Sequence, residues 1–518
     1  MKKLHKCQLA FAVGMLISCG VSAQQLSTSG DWGSITLSGW VRGYLGVNLQ
    51  NAAPNTGHNN KWDPSMERGS TQLNLDGNIH DVGFHITGRL TGEINTPYLQ
   101  RLNKSGAWLG GNLAHDGYNQ TDLREMYLNF PLKVFGINAG PNSALRIGKQ
   151  QVAFGNTDFF QVLDQVNGFD FTWRSFLVPE NEDLRKPLVM ANLMIDVPKL
   201  HGQAQFLLIP GSLNARDDFG NNYDIFGGRW SNQPFHTVDF IHAGGGHPAL
   251  VPYNYRSRGA NTDDNGYAFR WSGLLGDKNY SFVYLHQHNG DPVFNSATNP
   301  YKQSPVGLLG DTIYPFIDIV GVTGNTYAKW ADAVFSTEIA YTFNKPYNVG
   351  TNPGLCAGGI AGLCGIKTMG TVQTVLRMDK SLNGLQRLLG THAPPFFSVQ
   401  LFDTWIPALR PQDDLVNLAG YTARKRQNST ILTGILALSY DHDIIKPGIA
   451  GGVDLTNGGG FVVPNIEFAP GNHWRVRLEA DLFFAANSNL LGGDSSETYL
   501  FGYFKNNDQL FARFTYQF

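Results

Sequence analysis

Apolar and polar residues alternate along much of the chain with a period of two, the pattern of strands that bury only one face in apolar surroundings. Residues 83–95 and 474–484 show it most clearly, because charged side chains occupy one face of each stretch and apolar residues or glycine the other. Helical periodicity is nearly absent. The pattern therefore predicts an all-β protein.

The same alternation recurs along the whole chain. It predicts strands at residues 34–49, 71–77, 83–95, 122–130, 144–152, 189–197, 203–208, 267–275, 280–288, 334–343, 371–379, 397–404, 429–440, 461–468, 474–484, 498–504 and 510–518. One such strand would also suit a soluble sandwich, but this repetition favours a transmembrane antiparallel β-barrel with lipid outside and a polar lumen inside. We expect about 16 strands, roughly 14 to 18, and an even number.

The final stretch, residues 510–518, predicts how the barrel closes. Its second half alternates aromatic with polar residues and ends on Phe518. A strand that carries the terminal carboxylate suits the rim of a barrel, where its last aromatic ring meets the membrane interface. We expect this strand to pair with the first one, residues 34–49. In that first strand Trp40 and Tyr44 share the polar face, so the alternation there is imperfect.

The first 23 residues have the features of an export signal. Lys2, Lys3 and Lys6 precede a short apolar core, and a small-residue cleavage site ends at Ala23. A lipoprotein signal ending at Cys19 is the alternative. No later stretch reaches the roughly 18 apolar residues of a membrane helix. We therefore predict a signal peptide at residues 1–23 and an outer-membrane barrel at residues 24–518 of a bacterial cell.

Charge and cysteines narrow the picture further. Removing the three signal lysines changes the formal net charge from −2 to −5, too mild to indicate a nucleic-acid partner. After loss of the signal, Cys356 and Cys364 remain in a glycine-rich loop, and export favours a disulfide between them. The 60 glycines and 12% aromatic content suit tight turns and interfacial girdles.

Loop lengths predict sidedness in the first half of the chain, since outer-membrane barrels place short turns in the periplasm and long loops outside. The short connections are residues 79–82, 198–202 and 276–279, and the long ones are residues 50–68, 96–121, 153–187, 210–265 and 289–331. After about residue 330 the alternation of long and short connections loses parity. The side of the loop with Cys356 and Cys364 therefore stays open.

Residues 153–187 are too aromatic for a loop left in water, and they carry many charges of both signs. One interpretation folds this segment into the lumen, where its charges pair with wall residues such as Arg89, Arg124 and Arg146 and it narrows the pore. The other makes it an external cap packed on neighbouring loops. The candidate lumen or constriction residues are Arg89, Glu93, Arg124, Glu125, Arg146, Lys149, Gln150, Asp158, Asp164, Asn167, Asp170, Trp173, Arg174, Glu182 and Arg185.

The region around this segment resembles a known family. Residues 122–127 (DLREMY), 146–150 (RIGKQ), 154–155 (FG), 163–170 (LDQVNGFD) and 182–187 (EDLRKP) are similar to the bacterial outer-membrane domain-of-unknown-function family 1302. The family usually has Trp-Gly-Glu where this chain has Phe154-Gly155-Asn156, and Asn-Pro where it has Asn167-Gly168. The resemblance implies a divergent member, a porin-type barrel, and transport of hydrophobic compounds or lipids. It implies no catalytic residues.

Other chemistry has weaker support in the sequence. His286, His288 and Asp291 have a spacing that suits a divalent metal, but lumen or rim histidines are far commoner. Residues 242–247 (HAGGGH) and 263–266 (DDNG) are equally weak metal candidates, the latter better explained as a hairpin turn. Ser281 and His286 lie on opposite faces of one strand, and the chain has no Gly-x-Ser-x-Gly. We predict no cofactor, no metal and no enzymatic activity.

The sequence thus favours a channel or transporter for small amphipathic or hydrophobic compounds, lipid-like or aromatic, constricted by an in-folded loop. A general diffusion porin is the main alternative, and a barrel enzyme or a surface or envelope-assembly protein are others. The predicted partners are outer-membrane lipid, the solute, and a periplasmic or inner-membrane transport partner. Direction of transport and oligomeric state stay open.

Overall fold

The structure is a computed structural model of the 518-residue chain. It describes residues 26–104, 112–155, 157–178, 180–214, 219–223, 228–230, 265–296, 298, 301, 310, 312–417, 422–486 and 498–518. The predicted signal peptide and the metal candidate at residues 242–247 lie outside the described residues, as do residues 263–264 of the candidate at residues 263–266. No helix in the described part of the chain has the length and apolar character needed to cross a membrane.

Antiparallel strands form one large sheet. Its strands are β1 (Leu26–Gly30), β2 (Gly33–Asn48), β3 (Pro64–Ile79), β4 (Val82–Glu93), β5 (Gln120–Pro131), β6 (Ala144–Gln150), β7 (Leu188–Val197), β8 (Gly202–Ile209), β9 (Gly266–Leu275), β10 (Lys278–His288), β13 (Phe316–Ala328), β14 (Ala333–Val349), β15 (Gly365–Ser381), β16 (Phe396–Trp405), β17 (Asn428–Ala437), β18 (Ile445–Asp454), β19 (Gly460–Phe468), β20 (Trp474–Phe484) and β21 (Gln509–Gln517). A separate small pair is β11 (Val293–Phe294) with β12 (Thr312–Ile313). Within the described residues, three α-helices lie in the connections: Pro97–Lys104, Asn181–Leu184 and Asn383–Leu389.

The sheet closes on itself. Each strand from β2 to β10 and from β13 to β21 pairs with its neighbour along the chain, and β21 returns to β2 from Trp40↔Gln517 to Asn48↔Gln509. Strand β1 only extends the edge of β2. Eighteen strands therefore form the closed barrel, an even number within the predicted range. Closure by the terminal strand is confirmed.

The two faces of the wall differ as the alternation predicts. Leu90, Leu478 and Leu510 are among the large apolar side chains that the outer face exposes, whereas Glu93 and Asp481 face inward and are buried. Within a bilayer, a closed barrel satisfies every backbone hydrogen bond while presenting an apolar exterior to lipid. The chain is therefore an outer-membrane barrel.

The imperfect alternation of β2 has a structural cause. Trp40 and Tyr44 do face the lumen, where the guanidinium of Arg42 stacks 3.9 Å from the Trp40 ring centroid and Tyr44 packs edge-on against Trp173 at 5.4 Å. These aromatics contact residues inside the barrel instead of lipid. An aromatic residue on the polar face of a strand thus indicates a packed lumen.

Three strand predictions were wrong. Strand β13 lies inside the connection predicted at residues 289–331, and its inward Ile317 and Ile319 are apolar like its outward Val320, which hides the period of two. Strand β18 was missed because Pro447 and several glycines interrupt its pattern. The strand predicted at residues 498–504 is instead a compact turn with a 3-10 helix, Gly502–Phe504, whose rings pack inside the barrel.

With these corrections successive connections lie on opposite sides of the barrel all the way round, although residues 455–459 on the long-loop side are shorter than residues 382–395 on the other side. Short or compact turns join β3 to β4, β7 to β8, β9 to β10, β13 to β14 and β17 to β18. The N-terminal end of β2 and the C-terminal end of β21 lie on the same side of the barrel as these turns. The connection from Val349 to Gly365 lies on the opposite, long-loop side and holds the Cys356–Cys364 disulfide. Because the long loops of such barrels lie outside the cell, this disulfide cross-links an external loop.

Candidate functional site in the barrel lumen

The segment between β6 and β7, residues 151–187, leaves the wall and returns to it at adjacent points, since Gln150 and Leu188 are register partners. Asn167 ties the two ends together inside the barrel. Its Oδ1 accepts from the Val152 amide at 2.9 Å, and its Nδ2 donates to the Lys186 carbonyl at 2.8 Å. The segment, called the inner segment below, therefore has a neck fixed by one amide side chain.

Ion pairs attach the inner segment to one side of the wall. Arg174 pairs with Glu479 and, at 3.1 Å, with Asp481 on β20, and the three residues are only 2%, 5% and 0% exposed. Glu180 accepts from Arg513 on β21 at 2.7 Å. A buried charge without a partner is strongly destabilising, so these ion pairs fix the position of the segment.

Asp183 forms a second anchor on the neighbouring strands. Its carboxylate pairs with Arg42 on β2 and, at 2.5 Å, with Arg89 on β4. Burial alone would raise the pKa of Asp183, but the guanidinium groups of Arg89 and Arg42 outweigh burial and lower the pKa below its ordinary value of 3.8. The carboxylate therefore stays charged at neutral pH and holds two wall arginines at once.

The opposite side of the inner segment packs mainly through apolar groups. Leu163 and Val166 join the inward side chains of Leu285 and Ile319 in one buried cluster. Polar contacts to that wall are fewer: the Leu163 amide donates to Glu338 at 3.2 Å, and Asp158 pairs with Arg377 at 2.9 Å. Because β20 and β21 lie across the barrel from β13 to β15, the inner segment crosses the lumen.

Several predicted site residues contact the segment, although some do so in unpredicted ways. Arg124 donates to the backbone carbonyls of Glu182 (2.9 Å) and Arg185 (2.7 Å). Asp170 accepts from Gln120 on β5 at 3.0 Å. Trp173 packs under the guanidinium of Arg68 at 4.8 Å. The structure thus brings these residues to the interface between wall and segment.

Other predicted pairings were wrong. The guanidinium of Arg146 stacks on the Tyr127 ring at 4.5 Å, and among the described residues no carboxylate of the inner segment pairs with it. Asp164 pairs with Arg185 inside the segment. The Glu182 side chain is exposed, and only its carbonyl reaches the wall. Charge patterns alone could not choose among these partners.

The remaining predicted residues serve the wall and its rim. Glu93 pairs with Arg229 of the β8–β9 connection at 2.5 Å, and Lys149 contacts Asp122 at 3.2 Å. Glu125 accepts from Gln151 at 3.1 Å, where the chain turns inward. Gln150 is fully buried and donates to the Met190 carbonyl at 3.1 Å.

Sequence reasoning missed Asp183, Glu180, Arg42 and Arg513 as anchor residues. Asp183 stands inside the family-like run of residues 182–187, and Arg42 and Arg513 lie on the polar faces of predicted strands. A search for charges on those polar faces opposite the segment would have found both arginines. It would not have shown that each carboxylate of the segment takes the partner seen here.

Burial also affects the ionisation of the other charged groups in the segment. Burial raises the pKa of Asp164, and the guanidinium of Arg185 offsets this rise only in part. Burial lowers the pKa of Arg174, and the carboxylate of Asp481 opposes this decrease. Both effects show that these charges lie away from bulk water and depend on each other.

Cavities border the inner segment in the described part of the chain. The aromatic cavity, on the long-loop side, encloses about 290 Å³ and is lined by rings that include Phe159, Phe160 and Phe402. The basic cavity encloses about 380 Å³ between β2–β5 and the segment, beside Arg68, Arg89 and Arg124. A third, polar cavity of about 480 Å³ lies towards the short turns.

The histidines considered as metal ligands have structural roles. His286 pairs with Asp318 at 2.8 Å, and the Nδ1 of His288 lies 2.7 Å from the Tyr314 carbonyl oxygen. Ser281 bonds to Thr323 at 2.6 Å. In the part of the chain that the structure describes, no three His, Cys, Asp or Glu side chains are grouped to hold a metal ion.

Two backbones approach each other closely at Gly168. A Cβ atom at this position would lie 1.8 Å from the Gly220 carbonyl oxygen, so the close approach of two backbones requires glycine. The connection between β8 and β9 thus packs directly on the inner segment, as the Asn222 amide also shows by donating to Phe169 O at 2.8 Å.

We expect Gly168→Ala to destabilise the folded barrel by about 1–3 kcal/mol, because the added methyl group forces these two backbones apart. Urea unfolding followed by tryptophan fluorescence in detergent measures the change. Gly384→Ala is the matched control, since a Cβ at Gly384 meets nothing within 4 Å. Equal stabilities of the two variants would contradict the close packing of Gly168.

Solved structures with a similar chain path are outer-membrane proteins or their complexes. OccAB1 of Acinetobacter baumannii has 9% identity and a TM-score of 0.46, covering 96% of this chain and 98% of its own. OpdK of Pseudomonas aeruginosa has 9% identity and a TM-score of 0.44, covering 93% and 98%. OmpF of Salmonella typhi, in complex with daunomycin, has 10% identity and a TM-score of 0.41, covering 95% and 100%.

No curated protein matches the sequence significantly. The family model described as protein of unknown function (DUF1302) matches residues 8–518, nearly the whole chain. This match confirms the resemblance drawn from residues 122–187 and extends it to the strands and loops on both sides. The chain belongs to the DUF1302 family of proteins of unknown function.

Proposed function

We propose that this protein is an outer-membrane channel for small amphipathic or hydrophobic compounds, with the inner segment as its constriction. The observation that carries the proposal is the attachment of residues 151–187 to opposite walls, by ion pairs on β2, β4, β20 and β21 and by apolar packing on β10 and β13–β16. A segment fixed at both sides narrows the path between the two ends of the barrel. The proposal gives the lumen a transport role and no catalytic one.

The surroundings of the segment support the class of solute. A solute from the long-loop side first meets the aromatic cavity, where rings remove apolar surface from water. Beyond the segment, the lumen presents the polar cavity near the short turns. An apolar body with a polar head matches both environments, whereas a fully hydrated ion gains nothing from the aromatic lining.

The register of the wall offers a direct test. Because Gln150 and Leu188 are paired, an Asn-Gly turn can replace residues 151–187 without changing the strands. We expect single-channel conductance in a planar bilayer to rise several-fold in this turn-replaced barrel, since the crossing segment is gone. Heat-modifiable gel mobility and circular dichroism establish that the barrel is folded.

A second loop provides the matched control. Trp405 and Asn428 are also register partners, so the same turn can replace residues 406–427 on the same side of the barrel. That replacement should leave conductance nearly unchanged. A folded barrel whose conductance does not respond to loss of residues 151–187 would exclude the constriction. A wide, open conductance of the unaltered protein would favour a general diffusion porin.

A further inference from the structure

The aromatic cavity has the size and lining of a ligand site. It lies between the inner segment and the inner faces of β10 and β14–β17, and encloses about 290 Å³. Phe159, Phe160, Phe176, Phe402 and Ile431 supply much of its surface. That volume is at the small end of ligand pockets and suits a compact ring system of about 10–15 non-hydrogen atoms.

Acceptor groups without donors line the same cavity. Asp164 and Gln287 are only 2% and 6% exposed, yet Asp164 Oδ1 and Gln287 Oε1 have no hydrogen-bond partner among the described residues. The other polar atom of each side chain is engaged, Asp164 Oδ2 with Arg185 and Gln287 Nε2 with the Gln165 carbonyl. Each side chain is thus held in place with one acceptor left for a ligand.

The rest of the lining holds one donor without a partner among the described residues, Gln161 Nε2, and one further acceptor. Gln373 Oε1 also lacks a partner among the described residues. Besides Asp164, the cavity is lined by Asp291 and Asp403, against a single lysine, Lys345. Unsatisfied acceptors in apolar surroundings favour a donor and repel another acceptor, and aromatic faces add attraction for a cation.

We infer that the aromatic cavity binds compact amphipathic molecules whose apolar ring body carries a hydrogen-bond-donating head, an ammonium or a hydroxyl group, and discriminates against carboxylates. This inference rests on the proposed function, because it names the solutes that the constricted lumen selects. The ring body lies among Phe159, Phe160 and Phe402, and the head donates to Asp164 Oδ1 and Gln287 Oε1. The carboxylate of Asp291 adds to the discrimination through its charge, whereas the Asp403 carboxylate bonds to Asn428 and Thr430 on the outward side of β16.

The test uses three probes with one ring system: 2-naphthylmethylamine, 2-naphthylmethanol and 2-naphthoate. Isothermal titration of the refolded mature chain in detergent at pH 7 measures their affinities. We expect the amine and the alcohol to bind at least about tenfold more tightly than the carboxylate, the effect of one well-made hydrogen bond. Equal or tighter binding of 2-naphthoate would overturn the inference.

Variants place the probes in this cavity. Gln287→Met and Gln373→Met each remove an acceptor at similar volume and should weaken the amine and the alcohol about three- to tenfold while leaving 2-methylnaphthalene unaffected. Phe160→Ala should weaken all probes. The matched control is Gln203→Met in the polar cavity near the short turns, which should change none of them. Unchanged binding in both glutamine variants would overturn the inference.

The channel proposal and this inference fail separately. If the turn-replaced barrel conducts more but no probe binds the intact protein, the ligand class is wrong and the constriction stands. If the probes bind with the expected order of affinities but replacing residues 151–187 leaves the conductance unchanged, the cavity is a binding site in a protein that is not a constricted channel.

Discussion

Replacing Arg174 with Met should destabilise the folded barrel by about 3–5 kcal/mol, because the change leaves two buried carboxylates, Glu479 and Asp481, without their shared cation. Arg174 is 2% exposed, so water cannot take over the lost interaction. Its guanidinium also lies 3.8 Å from the Phe511 ring centroid, a contact that Met replaces only partly. Urea unfolding in phospholipid vesicles, followed by tryptophan fluorescence, measures the loss.

Two further variants separate the ion pair from general damage. Arg387→Met, on the exposed helix Asn383–Leu389, should change stability by less than about 0.5 kcal/mol. Adding Asp481→Asn to Arg174→Met should recover part of the loss, since it removes one of the stranded charges. If the double variant is less stable than Arg174→Met by as much as Asp481→Asn alone destabilises the unaltered protein, loss of the ion pair does not explain the effect of Arg174→Met.

At neutral pH, Asp183→Asn should release from the wall the part of the inner segment that leads back to β7. The change removes the carboxylate that holds Arg42 and Arg89, and the loss of about 1.5–3 kcal/mol from charge-assisted hydrogen bonds shifts the balance between seated and displaced segment by about 10- to 100-fold. Open probability in planar bilayers should rise accordingly. The exposed Lys133–Asp81 pair supplies the control, and Asp81→Asn should leave the open probability unchanged.

The pH dependence provides an independent check on this anchor. The folded-state pKa of Asp183 lies below the ordinary value of 3.8, so its stabilising contribution is complete above pH 3.8 and is lost as the pH falls through the folded pKa. The unaltered protein should therefore open more often only in acid below that value. Asp183→Asn should remove this acid response from the open probability. An Asp183→Asn channel that keeps the full acid response would show that another group controls it.

The alternation in the sequence was enough to find most of the wall. Strand β20 was predicted with its observed bounds, Trp474–Phe484, because charged residues on one face oppose apolar residues on the other. The prediction of β13 failed because the lumen is not polar there. Ile317 and Ile319 of β13 pack on the inner segment, so a strand with lipid outside and an apolar filling inside loses the period of two.

The candidate site was only partly predictable for a different reason. The density of aromatic and charged residues in residues 153–187 indicated a segment that needs a surrounding wall, and the contacts of Arg174, Asp170 and Trp173 are consistent with it. The choice of partners was not available, because Arg174 pairs with residues of β20 that are distant in sequence. Glu180 and Asp183, rather than Glu182, turn their carboxylates to the wall.

The barrel, its closing strand and the unusual composition of the inner segment follow from the sequence, since side-chain alternation and composition are local properties that a lipid environment requires of a barrel. The count of 18 strands, the side of the disulfide loop and the ion pairs across the lumen emerge in the folded chain alone. Those features depend on which strands become neighbours when the sheet closes. Closure brings together residues that are far apart in sequence, and no local pattern encodes their distances.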